Sequence, residues 1–174
     1  VDAVVITSVH NTLYYSNFWM IPWGREQGIV VPRTGEPALI APRIEYDRPA
    51  KMSFLDDVRI YWDVTSAIDG MVLLIQEVLR DHEITEGRLG VEEDSVSATL
   101  QNSLQSALPK FEFVDMGYSM MAEQMVKSQE EITLIRHGAE ICDIGAQAFT
   151  DAVTEGITEV QLARESVTAM EEEI

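Results

Sequence analysis

The sequence has a single cysteine, few basic residues and no long hydrophobic run. Cys142 stands alone among 174 residues, so no internal disulfide can form, and a reducing compartment is the simplest setting. Twelve basic residues against 30 acidic ones give a formal net charge of −18, which repels nucleic acid and anionic lipid. No apolar run reaches the roughly 18 residues of a membrane span, and the run at 3–6 is too short for a signal. We therefore expect a cytoplasmic protein with neither nucleic acid nor membrane as a partner.

The first two thirds of the chain alternate predicted strands and helices. Apolar residues make up 46% of the sequence, which is enough for one core plus an appendage. Predicted strands cover 3–6, 29–31, 38–40, 57–62, 89–91 and 111–114, and predicted helices cover 68–79 and 96–108. Ser8 can cap a short turn that reaches Tyr15. The second and third strands form a hairpin, because Gly35 between two prolines favours a reversal. The alternation predicts an α/β fold, a mixed β-sheet flanked by helices on both faces.

The final third predicts two long helices. Ser128 with Glu131 three residues later is a capping-box pattern at the start of the first helix, and Gly156 is a good stop. Thr158 then begins a second helix over 159–174. Apolar residues recur at steps of three and four along the first helix, and so share one stripe: Ile132, Ile135, Ala139, Cys142, Ala146, Phe149 and Val153.

Trp23, Gly24 and Arg25 form the most promising binding segment. Glycine permits a backbone turn that brings the indole and the guanidinium into one space. A guanidinium donates two parallel hydrogen bonds to a carboxylate, and an indole adds an apolar wall or a face for a cation. The alternative interpretation is a surface arginine paired with its neighbour Glu26.

Other polar clusters indicate structure more than chemistry. Ser8 and Asn11 suit helix capping, and the nearby His10 does not by its adjacency make a catalytic site. His82 and His137 lack the partners of a metal site. The acidic clusters are predicted to be solvated faces, and none resembles a calcium loop: 92–94, 130–131 and 171–173.

Both ends of the sequence resemble one family. The stretch 1–16, followed by Trp23-Gly-Arg-Glu-Gln-Gly28, resembles the start of the amino-terminal domain of creatinases, within the creatinase/prolidase ("pita-bread") family. The resemblance resumes at 111–115, 127–136 and 138–143, where that domain meets the catalytic domain. It implies an amino-terminal domain at 1–127, with the same α/β fold, and the first helices of a truncated catalytic domain at 128–174.

The resemblance also implies a role for the Trp23–Arg25 segment. In creatinases the matching aromatic-Gly-Arg segment of one subunit reaches into the neighbouring subunit's active site and helps to hold creatine by its carboxylate. Trp23 and Arg25 are accordingly expected to bind substrate, in a homodimer that acts on a guanidino acid such as creatine without metal or another cofactor. Family members have phenylalanine where this chain has Trp23, a departure that would alter the size of the pocket.

Three functions remain open at this point. The first is a creatinase-like amidinohydrolase that converts creatine and water to sarcosine and urea. The second is a metal-dependent Xaa-Pro dipeptidase or aminopeptidase, and the third is a non-enzymatic interaction module. The catalytic motifs of both enzyme classes would follow residue 174, so the sequence as it stands should be inactive by itself.

Overall fold

A computed structural model describes residues 1–21, 23–62 and 66–174, which divide into two units at 1–121 and 122–174. In chain order the elements are β1 Ala3–Ile6, α1 Val9–Ser16, β2 Gly28–Pro32, β3 Ala38–Pro42, α2 Arg48–Met52, β4 Asp57–Tyr61, α3 Ala67–Asp81, β5 Gly87–Val91, α4 Ala98–Ala107, β6 Phe111–Asp115, α5 Gly117–Met125, α6 Gln129–Ala152 and α7 Glu159–Glu171. The predicted strands are confirmed, whereas α2 and α5 were not predicted, and α1 is an eight-residue helix where a short turn was predicted.

The strands form a single mixed sheet in the order β4-β3-β2-β1-β5-β6. β2 is antiparallel to both of its neighbours, and the pairs β3–β4, β1–β5 and β5–β6 are parallel. The carboxyl ends of the other five strands therefore lie along the edge of the sheet at which β2 begins. We call this the carboxyl edge. Loops at such an edge are where open α/β sheets usually bind ligands.

Both faces of the sheet are buried, as predicted. Alternate residues of a strand point to opposite faces, so Ile40 packs in one core cluster with α3 and α4, while Leu39 packs in the other. The second cluster also holds Phe18 and Met120. This double burial explains why the central strands are almost continuously apolar.

Local signals set most helix starts. Ser8, Ser97 and Ser128 cap α1, α4 and α6, and the capping box of α6 is complete. α3 is capped by Ser66, while Asp69 lies in the first turn as a favourable charge.

Helices α6 and α7 pack through small residues. Gly145 is the buried residue of α6, and a Cβ atom placed there would lie 2.7 Å from Met170 Sδ and 3.0 Å from Ser166 Oγ. The apolar stripe predicted on α6 is largely exposed, including Ile135 at 55% and Phe149 at 43%. Within the described ranges, no helix is both long and apolar enough to cross a bilayer.

Candidate functional site

Trp23 and Arg25 lie on the loop that connects α1 to β2 and reaches the carboxyl edge of the sheet. The Trp23 side chain is 80% exposed, and Arg25 is half-buried. Gly24 between them has a φ of 69°, and a Cβ atom there would meet nothing within 4 Å. A positive φ strains most residues other than glycine, so Gly24 permits the turn between the two side chains. Neither member of the predicted pair belongs to the core.

The base of this loop is closed by hydrogen bonds. The buried Gln27 donates from Nε2 to the carbonyl oxygen of Met20 at 3.3 Å. The amide of Trp23 donates to the carbonyl oxygen of Ile21 at 2.9 Å. The loop thus leaves the body of the domain and returns to it at neighbouring points, with Trp23 and Gly24 near its tip.

Glu26 is held at two points. Tyr61 donates its hydroxyl to the carbonyl oxygen of Glu26 at 2.7 Å, and Ser97 donates its hydroxyl to the Glu26 carboxylate at 3.0 Å. The Glu26 carboxylate thus has Ser97 as a hydrogen-bond donor.

A second cation–aromatic group lies on the carboxyl edge, and sequence reasoning missed it. The guanidinium carbon of Arg43 lies 5.0 Å from the ring centroid of Tyr46 and 5.3 Å from that of Trp62. Both aromatic side chains are about two-thirds exposed, at 65% and 66%. Arg43 follows β3 and Trp62 follows β4, so the parallel pairing of these strands brings them together. Knowledge of that pairing would have revealed the group.

Glu92 is the main correction to the sequence analysis, which placed it on a solvated acidic face. It is 1% exposed. Its Oε2 accepts from the amides of Thr7 and Ser8 at 2.6 and 2.9 Å. Its Oε1 accepts from Ser8 Oγ and Asn11 Nδ2, both at 2.6 Å. The cause is the parallel pairing of β1 with β5, which sets Glu92 beside the amino terminus of α1, where a negative charge is stabilised.

The other polar residues considered in the sequence analysis lie in positions that suit a structural role. Ser8 accepts from the amide of Asn11 at 3.3 Å, as a capping residue should, and His10 is exposed. The His82 ring lies against the hairpin glycine Gly35, and His137 is 4.0 Å from Glu140 on α6. In the part of the chain that the structure describes, no group of three or more His, Cys, Asp or Glu residues could hold a metal ion.

Ion pairs at the edge strand β4 and at helix α2 shift the pKa values of Arg59 and Asp47. The hydrogen bond from Arg59 to Asp57 raises the pKa of the guanidinium, and a further bond to Asp81 adds to this. The hydrogen bond from Lys51 lowers the pKa of Asp47. Both shifts favour the charged forms, so these groups keep their charges near neutral pH.

The family model for the creatinase/prolidase N-terminal domain matches residues 1–126. Creatinase from Bacillus sp. (strain B-0618) is 36% identical over 174 residues, which are 100% of this chain and 41% of that protein. The putative dipeptidase YkvY from Bacillus subtilis (strain 168) is 26% identical over 160 residues, 92% of this chain and 43% of its own length. The chain thus spans less than half the length of these relatives.

Solved structures show the same fold. A prolidase from Pyrococcus furiosus has a TM-score of 0.70 at 23% identity, covering 99% of this chain and 49% of its own. An X-Pro aminopeptidase from Thermotoga maritima has a TM-score of 0.77 at 20% identity, covering 99% of this chain and 47% of its own.

Proposed function

Because the chain belongs to the creatinase/prolidase N-terminal domain family, we propose that it is the amino-terminal part of a creatinase-like amidinohydrolase. The parent enzyme hydrolyses creatine, or a close guanidino acid, to sarcosine and urea. The observation that carries this proposal is the Trp23-Gly24-Arg25 loop at the carboxyl edge, with Trp23 exposed, in a chain 36% identical to a creatinase along its whole length.

Arg25 and Trp23 have complementary parts in this proposal. The Arg25 guanidinium binds the substrate carboxylate through two parallel hydrogen bonds, which fix the orientation of the substrate as well as its affinity. The indole of Trp23 forms an apolar wall, or covers the cationic end of the substrate with its π face. Neither residue takes part in bond cleavage. The reacting groups belong to the sequence that follows residue 174.

The segment serves the pocket of a second subunit in a homodimer. Support comes from the exposure of Trp23, at 80%, with Tyr46 and Trp62 exposed on the same edge. Aromatic side chains with arginine are typical of the residues that dominate protein interfaces. A homodimer of the full-length protein, measured by light scattering, is the expected state, and its location is expected to be cytoplasmic.

Two segments of the chain, with a boundary six residues after that between the two units, have separate roles in this proposal. We assign residues 1–127 to the amino-terminal domain and 128–174 to the first helices of the catalytic domain. The exposed apolar stripe of α6 supports this assignment, because covering such a face is favourable by roughly 25 cal/mol per Å². In the full-length protein the remainder of the catalytic domain would cover it.

The reaction class is tested with the full-length protein. Urea release from creatine, unchanged by a chelator, is the expected result. The second candidate is a metal-dependent Xaa-Pro peptidase, which the 26% identity to a putative dipeptidase favours. Proline release from alanyl-proline that a chelator abolishes would establish that candidate. Two aspartates, a histidine and two glutamates in order after residue 174 would agree with it. If the full-length protein hydrolyses neither substrate, the non-enzymatic interaction module is the remaining candidate.

The role of Arg25 is tested by Arg25→Ala in the same protein. Loss of a charge-assisted contact of about 2 kcal/mol should raise the KM for creatine about 30-fold. Arg33→Ala is the matched control. Arg33 lies in the hairpin turn, its side chain is 72% exposed, and its ion pair with Asp2 is long, at 3.9 Å between Nη1 and Oδ1. An unchanged KM and kcat in the Arg25 variant would remove the assigned role.

A further inference from the structure

We propose that Tyr61 and Ser97 are positioning residues, which fix the main chain at Arg25 by holding its neighbour Glu26. This inference rests on the proposed role of Arg25 in substrate binding. It concerns residues that lie 36 and 72 positions away from Arg25 in the chain and that the family resemblance did not suggest.

Tyr61 is the stronger anchor. It is the last residue of β4 and is 3% exposed. Its ring lies directly against Gly70 in α3, where an added Cβ atom would be 2.8 Å from Tyr61 Cδ2. The ring is therefore packed closely against α3. The hydroxyl donates to the Glu26 carbonyl oxygen at 2.7 Å.

Ser97 is the second anchor and has two bonding partners. As the N-cap of α4 its hydroxyl oxygen accepts from the amide of Leu100 at 3.2 Å. The same hydroxyl donates to the Glu26 carboxylate at 3.0 Å, a bond strengthened by the charge of the acceptor. Glu26 is therefore held through its main chain from β4 and through its side chain from α4.

These anchors lie on the carboxyl-terminal side of Arg25, and the exposed tip of the loop lies on its amino-terminal side. Gly24, which precedes Arg25, has a positive φ and open space around it, and Trp23 beyond it is exposed. Glu26 follows Arg25 directly, so the bonds to Glu26 hold the main chain next to Arg25. A loop ordered before binding loses less entropy when the substrate arrives. Loss of the anchors should consequently weaken substrate binding without altering the chemical step.

Two variants of the full-length protein remove the bonds to Glu26. Tyr61→Phe keeps the ring that packs against Gly70. Ser97→Asp keeps a good N-cap for α4, but replaces the donor with a carboxylate that repels Glu26. Each should raise the KM for creatine about threefold to tenfold, the range produced by loss of one hydrogen bond, with kcat nearly unchanged. Ser97→Thr, which keeps a hydroxyl, should restore the KM.

Matched controls separate positioning from general damage. Tyr118→Phe and Ser106→Ala alter an exposed tyrosine on α5 and an exposed serine on α4, and should leave the KM unchanged. In the Tyr61→Phe variant, we expect faster amide hydrogen exchange at residues 24–26 of the loop and unchanged exchange in the sheet. This measurement does not depend on activity.

A double-mutant cycle decides the matter. In the Arg25→Ala background, Tyr61→Phe should cause no further rise in KM, because the group that it positions is gone. An equal rise in both backgrounds would overturn the positioning role. If Arg25→Ala raises the KM while Tyr61→Phe and Ser97→Asp do not, the positioning role fails and the proposed function stands. If Arg25→Ala itself has no effect, the proposed function fails, and this inference fails with it.

Discussion

The two units of the chain are stabilised by different means. In residues 1–121 large apolar side chains such as Phe18, Ile29 and Leu104 are completely buried, and the polar Glu92 is buried with four hydrogen bonds. In residues 122–174 the described apolar side chains remain far more open, with Leu134 exposed at 72% and Val160 at 64%. The first unit has a core of its own, whereas the second depends on local helix signals and on the packing of α6 against α7, which is close at Gly145.

This contrast explains why the unit with the sheet can carry a binding loop. A side chain is presented at a fixed place only if the residues beneath it are held, and β4, α3 and α4 are held by burial. The pair α6 and α7 has capping boxes at both starts but a largely exposed surface. Capping fixes where a helix begins, and it does not fix what the helix packs against.

The largest effect is expected for loss of a core side chain in the first unit. Leu104→Ala, in α4, should cost about 2–5 kcal/mol of unfolding free energy, because it removes buried methyl groups and leaves a cavity. Phe149→Ala, in α6, should cost clearly less, because 43% of that residue is exposed and its removal leaves no enclosed cavity. Amide hydrogen exchange, read separately for α4 and α6, measures both. Equal losses of unfolding free energy in the two variants would contradict the difference between the two units.

A slightly smaller effect is expected at the buried carboxylate. Glu92→Gln replaces one acceptor oxygen with an amide nitrogen, although all four groups that face it are donors. The cost should be about 2–3 kcal/mol, the penalty for buried donors left without an acceptor. Urea unfolding followed by tryptophan fluorescence reports on this unit, because all three tryptophans lie in it. Glu93→Gln, at the exposed neighbouring residue, is the control. Equal loss of stability in the Glu92→Gln and Glu93→Gln variants would contradict the assigned role of Glu92.

Short-range patterns predicted much of this fold, whereas contacts between distant residues escaped prediction. The strand 3–6 and the caps Ser8 and Ser128 depend on residues within one or two turns, so the sequence displays them. Glu92 was misplaced because its partners lie more than 80 residues away and become neighbours only through the parallel pairing of β1 with β5. The contact of Tyr61 with Glu26 depends on strand order in the same way.

The smallest effect distinguishes two glycines of α6. Gly145→Leu should separate α6 from α7 and cost about 1–3 kcal/mol, because a side chain there meets Met170 and Ser166. A Cβ atom at Gly138 would meet nothing within 4 Å. Gly138→Ala should therefore stabilise the helix by up to about 1 kcal/mol, through helix propensity alone. Hydrogen exchange of α7 amides measures both changes. If Gly145→Leu leaves the hydrogen exchange of α7 amides unchanged, the close contact at Gly145 does not hold the two helices together.

The most direct test of the central claim asks whether Arg25 serves the active site of a second subunit. The full-length Arg25→Ala protein would be paired with the unchanged chain 1–174, which contributes the loop, and the heterodimer would be isolated and confirmed by mass. We predict that its KM for creatine returns to that of the unchanged enzyme, whereas pairing with a chain 1–174 that also carries Arg25→Ala leaves the KM high. A KM that stays high in both heterodimers, or a failure of the chains to pair, would contradict the claim.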